Sequence, residues 1–261
     1  MINPRLSILH ATLCFLLCFA SFASATILPK PRPSILSQEE FVVVIDAGHG
    51  GRDPGANIGL GDGQLIAEKD ITLSMARALG DALRVRNINH VFTREDDRYV
   101  GLQERVALAK KLGGDVLVSL HVNTAPRKTA SGLSIYTLSK EASDNLAADF
   151  ARQENDALGM KKGDAEAISQ RMQKKITRIS DQLATGMIMS VAGHGEILER
   201  PLRKANFAVL RAYNMPAVLV ELGFLSHPGD LDLLFDPAWR AKTSLALADA
   251  ILVWQEKVIN K

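Results

Sequence analysis

The chain has 261 residues, 47% of them apolar, with 19 Gly and 10 Pro; this composition can bury a substantial core and excludes a disordered or fibrous protein. Its formal charge is only +2 and no block of five or six consecutive basic residues occurs, which excludes the electrostatic footprint of a nucleic-acid binder. One large domain or two small ones fit this length.

Residues 1–25 read as a secretory signal peptide. Arg5 precedes an apolar stretch through Leu13, Phe15, Leu16, Leu17 and Phe19, and the small residues Ala23-Ser24-Ala25 follow, so cleavage is expected after Ala25. The apolar run is shorter than the roughly 20 residues of a membrane span, so no stable span is expected after signal removal. Leu17 does not suit a lipoprotein cleavage site at Cys18. Both cysteines, Cys14 and Cys18, fall inside the signal. A mature chain without cysteine would take its stability from its core and would bind any metal through His and carboxylate side chains. Residues 26–40, with Pro29, Pro31 and Pro33, read as a short extended linker.

A catalytic domain is expected over 41–258. The apolar run Phe41 to Asp46 reads as a strand buried on both faces. Ile71, Met75, Ala78, Leu79, Ala82 and Leu83 recur at helical spacing between Glu68 and Arg86. Strand-like Ile88 to Thr93, helical Leu102 to Leu112 and the strand Val116 to Leu120 follow. Later come a strand from Gly132 to Leu138, a buried one from Ala217 to Val220, and a closing helix from Pro237 to Lys257. The alternation predicts an α/β fold with a largely parallel central sheet flanked by helices.

Before the last core strand, roughly 141–200 form a polar segment. Its residues Ile168, Met172, Ile176, Ile179, Leu183 and Met187 lie at steps of three and four, one apolar stripe on a helix. Such a helical insertion either packs on the domain for stability or serves as a regulatory element.

Four residues fall where a sheet of this kind places chemistry, at the carboxyl ends of its strands. His49 follows the first strand within Asp46-Ala47-Gly48-His49-Gly50-Gly51, His121 follows the strand ending at Leu120, Glu221 ends the strand Ala217 to Val220, and Glu68 opens the first helix. Two imidazoles and a carboxylate with an open fourth position make a catalytic zinc site, and a further carboxylate can carry the proton. The glycines around His49 allow the bends a ligand loop requires. His194, in Gly193-His194-Gly195-Glu196, imitates this loop but follows a helical stretch and reads as a turn; His227 is placed beside the cleft, not among the ligands.

The run Val44 to Gly51 with Asp53-Pro54-Gly55-Ala56, then Glu68-Lys69-Asp70, Thr93-Arg94, Ser119 to Asn123 and Val220 to Ser226, resembles the type 3 N-acetylmuramoyl-L-alanine amidases. The resemblance implies Zn2+ held by His49, Glu68 and His121, with Glu221 as catalytic acid/base. It implies peptidoglycan as substrate, cleaved between N-acetylmuramic acid and L-alanine during cell-wall remodelling and daughter-cell separation. Arg94 and Asn123 fall in family motifs, where a salt bridge and a strand-end turn compete with substrate contact. In the cell-separation amidases a helical insertion blocks the cleft and a glutamate from it occupies the zinc. Glu154 is the expected inhibitory ligand here, with Glu141 and Glu166 as rivals. The same resemblance implies a periplasmic location and an activator protein with a degenerate lysostaphin-like domain. A degenerate wall-binding protein and a zinc peptidase acting within the stem peptide are the competing readings.

Overall fold

A computed structural model of the chain describes residues 41–59, 63, 65–125, 130–157, 170–195, 197–212 and 214–259. The expected signal peptide and linker lie outside them.

Strand β1 (Val42–Ala47) is buried along its whole length. Its side chains alternate between two cores: Val43 and Ile45 join one, Val44 the other. A short hairpin, β2 (Asn57–Gly59) and β3 (Leu65–Ala67), leads into helix α1 (Glu68–Val85). Next come β4 (Asn89–Phe92), α2 (Leu102–Lys111), β5 (Val116–Asn123) and β6 (Leu133–Leu138). The insertion supplies α3 (Asn145–Ala157), α4 (Gln170–Val191) and the start of β7 (Ile197–Ala205). Strand β8 (Ala217–Phe224), α5 (Pro228–Phe235) and α6 (Pro237–Ile259) complete the chain. Pro228 and Pro237 open their helices, where a missing N–H costs nothing.

Six strands form one sheet in the order β4-β1-β5-β8-β6-β7. Every neighbouring pair is parallel except β6 with β8. Helices α1, α4 and α6 cover one face, with Leu79, Leu183 and Ile251 in its core. On the other face α2 and α3 contribute Leu102, Ala109, Ala147 and Phe150. Both faces are therefore covered, as a parallel sheet demands.

Three features depart from the sequence reading. Strands β5 and β8 run on past Leu120 and Val220, so His121 and Glu221 sit within strands instead of just after them. His121 pairs with Glu221 and, after a register shift, Asn123 pairs with Phe224, so the two strands stay together past the polar positions. Strand β7 had no apolar signature, because it is a half-exposed edge strand that tolerates Pro201. Within the insertion, Leu183 and Met187 of the predicted stripe are core residues, whereas Met172 is exposed and Ile168 lies outside the described residues. Helix α4 is thus built into the fold through α6.

Candidate metal centre

The carboxyl ends of β1, β5 and β8 are adjacent in the sheet, and the chain turns there into the residues of the site. After β1 the backbone swings through His49 at φ 60°, Gly50 at 129° and Gly51 at 59°. Gly48 has no room for a side chain, since a Cβ would lie 2.5 Å from the His121 ring. The turn brings the His49 ring to the His121 ring edge-on, centroids 5.0 Å apart.

His49 Nδ1 lies 2.9 Å from Asp53 Oδ2, a bond that orients the ring and turns Nε2 inward. That Nε2 is 3.1 Å from Glu68 Oε2 and 3.3 Å from Glu154 Oε2. On the other side, His121 Nδ1 is 3.1 Å from Glu68 Oε1 and 3.3 Å from the same Glu154 oxygen. Glu68 begins α1 and is fixed by two main-chain donors, Val122 N to Oε1 at 2.8 Å and Ala56 N to Oε2 at 2.9 Å.

One ligand atom from each of His49, Glu68, His121 and Glu154 lies within 4.8 Å of all the others. His49 Nε2 and Glu154 Oε2 are nonetheless buried without a well-formed hydrogen bond among the described residues. Short distances without donor geometry mean that lone pairs converge. Burial alone would lower the His49 pKa, but the Glu68 charge, the Asp53 carboxylate bonded to Nδ1 and the nearby Glu154 carboxylate drive it strongly upward. Burial works to raise Glu68, and the two imidazoles outweigh it, holding the carboxyl well below its usual range. The cluster therefore demands positive charge at its centre, which imidazolium protons or a divalent cation can supply. Imidazole and carboxylate donors in this number fit a metal ion.

Glu221 is not among these four. It is buried, and one of its oxygens, Oε2, has no hydrogen-bond partner among the described residues. Burial first, then the Glu68 and Glu154 charges, push its pKa well above the carboxylate norm. Asn123 joins His49, Asp53, Glu68, Gln153 and Glu154 in lining a cleft of about 210 Å³, and its buried Nδ2 is unpaired among the described residues. It belongs to a strand instead of a turn. A larger groove of about 600 Å³ between α4 and α6 gathers no such set of ligands.

Arg94 makes its bonds to main-chain carbonyls and the Thr72 hydroxyl, and among the described residues it forms no salt bridge of the kind considered from sequence. His194 lies in the turn after α4. His227 caps α5, accepting from Asp230 N at 3.3 Å. Glu141 is exposed and Glu166 lies outside the described residues. Sequence reasoning gave no separate role to Asp53 or Arg105; the four-residue interval from His49 to Asp53 was the one available signal for the first.

A parallel α/β sheet with histidines and carboxylates converging at its carboxyl edge has the make-up of a metal-type hydrolase. The chain belongs to the N-acetylmuramoyl-L-alanine amidase family, whose profile matches residues 43–253, and it is an enzyme of that amidase class. It is 31% identical over 220 residues to the amidase AmiA of Escherichia coli, covering 81% of this chain and 75% of that protein. It is 32% identical over 218 residues to AmiC of Neisseria meningitidis, covering 80% of this chain but 51% of that relative. The solved amidase AmiC2 of Nostoc punctiforme superposes with a TM-score of 0.60 at 28% identity, over 83% of this chain and 98% of that one.

Proposed function

We propose that this amidase is a zinc enzyme that hydrolyses the amide between N-acetylmuramic acid and L-alanine in peptidoglycan. The convergence of His49, Glu68 and His121 on one point carries the reading. Buried imidazole and carboxylate donors without thiolates favour zinc among common divalent ions. His49, Glu68 and His121 would hold the zinc ion, which would supply the positive charge needed to polarise a carbonyl and acidify a water.

The remaining steps belong to the chain. Glu221, with its raised pKa, accepts the proton of the attacking water and returns it to the departing alanine nitrogen as the carbon–nitrogen bond breaks. The Asn123 amide offers a donor at the cleft wall. Asp53 keeps the His49 ring turned toward the site.

Glu154 gives the enzyme a resting state, because its carboxylate takes a place beside both imidazoles that the reaction needs free. Release requires something that binds the unblocked form better. The activator expected for such an arrangement is a protein with a degenerate lysostaphin-like domain. The signal-like residues 1–25 support export to the periplasm, and cell separation is the corresponding role. No described helix is long and apolar enough to cross a membrane.

The deciding experiment is mass spectrometry of purified sacculi digested with zinc-loaded protein. Free stem peptides with intact glycan are expected; peptides cut internally would indicate a peptidase, and unchanged sacculi with bound protein a wall-binding module.

A further inference from the structure

Two buried cations not used in the reaction, Arg94 and Arg105, together reach the three consecutive residues 47 to 49, with Ala47 common to both. Arg105, on α2, pairs with Asp46 at 2.7 Å and donates to the carbonyls of Ala47 at 2.6 Å, His49 at 2.7 Å and Val100 at 3.0 Å. Arg94, just beyond β4, donates to the carbonyls of Ala47 at 2.9 Å, Gly48 at 2.8 Å and Lys69 at 2.8 Å. Thr72 Oγ1 adds a bond to Gly48 O at 2.8 Å. The carbonyls of 47, 48 and 49 are thus all held by guanidinium groups, in a loop where His49 adopts a left-handed conformation unfavourable for a residue with a side chain. The bond to Lys69 ties the same loop to the first turn of the helix that presents Glu68.

We propose that Arg94 and Arg105 are positioning residues for the metal centre. They fix the backbone on which His49 Nε2 and Glu68 Oε2 converge, and so set metal affinity beyond what they add to folding. A glycine-flanked loop has many competing conformations, and only a planar fork of several N–H donors can span consecutive carbonyls. Lysine keeps the charge without that reach.

The inference rests on the metal-enzyme reading, and its test separates the two. Zinc affinity is measured by competition with a chromophoric chelator on the full-length mature protein, for wild type, Arg94→Lys, Arg105→Lys and Arg203→Lys. Arg203 is another buried arginine, paired with Asp144 at 2.8 Å on β7, away from this loop. Melting of the metal-free proteins monitors the fold. Arg94→Lys and Arg105→Lys are expected to lose about 10- to 100-fold in affinity, and to shift the visible spectrum of the cobalt form, while Arg203→Lys loses stability alone. Thr72→Val, a milder change on the same carbonyl, is expected to weaken binding in the same direction if Arg105→Lys does not fold. Wild-type affinity in the folded Arg94 and Thr72 variants, or an equal loss in Arg203→Lys, overturns the inference. Failure of the wild type to bind zinc removes the metal reading and the inference together.

Discussion

His121 and Glu221 are register partners on the adjacent parallel strands β5 and β8. The pairing sets an imidazole and a carboxylate at one level of the sheet, yet their surroundings differ. His121 meets Glu68 and Glu154, whereas Glu221 keeps a buried oxygen without a partner among the described residues and a raised pKa. Glu221→Gln is therefore expected to cut turnover by about 10²- to 10⁴-fold with zinc content unchanged. Metal analysis beside a peptide-release assay checks this; an inactive variant that also lost zinc would move Glu221 into the ligand set.

Glu154→Ala removes the carboxylate 3.3 Å from both imidazoles. If that contact holds the enzyme at rest, the variant is expected to be about 5- to 150-fold more active without any partner, the range of an ordinary coupling energy. Steady-state assays on the purified chain decide the matter. Activity equal to or below wild type would show that Glu154 serves the catalytic state.

Asp46 contributes to the pH dependence of stability. Burial opposes its ionisation, but Arg105, Ser119 and Thr93 outweigh burial and hold its pKa below the usual carboxylate value. A depressed folded pKa means stabilisation that is complete above the unfolded value of about 3.9 and lost as pH falls through the lower folded value. Asp46→Asn is expected to cost about 3–5 kcal/mol at pH 7, as when one partner of a buried pair is removed. Urea unfolding across pH 7 to 3 should show the gap between variant and wild type closing only below about pH 4. A constant gap would mean that the cost comes from packing, not charge.

Gly55 tests the crowding of the centre. It sits at φ 66°, and a Cβ there would lie 2.6 Å from both Glu68 Oε2 and His49 Cδ2. Gly63, at φ 88°, has nothing among the described residues within 4 Å of such a Cβ. Both Gly→Ala changes carry backbone strain of about 1–3 kcal/mol, but only Gly55→Ala is expected to weaken zinc binding. Calorimetric titration of the two variants distinguishes them, and equal affinities would show that the neighbours can give way.

The sheet and the positions of its charged residues were legible in the sequence for a simple reason. Apolar runs such as Val42 to Ile45 and Val116 to Leu120 belong to strands buried on both faces, so composition alone marks them. His49 and His121 announced themselves by standing just past such runs, and Glu68 by opening the first helix. The extension of β5 through His121 and Asn123 was hidden, because polar residues are kept in a strand there by neighbours distant in the chain. Strand β7 was hidden for the opposite reason: an edge strand bearing Glu199, Pro201 and Lys204 has little local preference and takes its shape from β6. Arg105 was invisible as a site residue, since its role depends on carbonyl oxygens, which every residue possesses.

Glu154 is carried by α3, and that helix is anchored. Ala147, Phe150 and Ala151 on its inner side are buried, Phe150 rests 6.0 Å from the Phe224 ring, and Asn155 bonds both Asn206 O and Ala208 N. Lifting the whole helix would bare at least one aromatic side chain worth about 1.5–3 kcal/mol of burial. Any protein that opens the cleft by moving α3 must therefore bring an apolar pocket of its own to receive Phe150. A trigger that acts through charge alone can do no more than swing the Glu154 side chain aside on a helix that stays where it is.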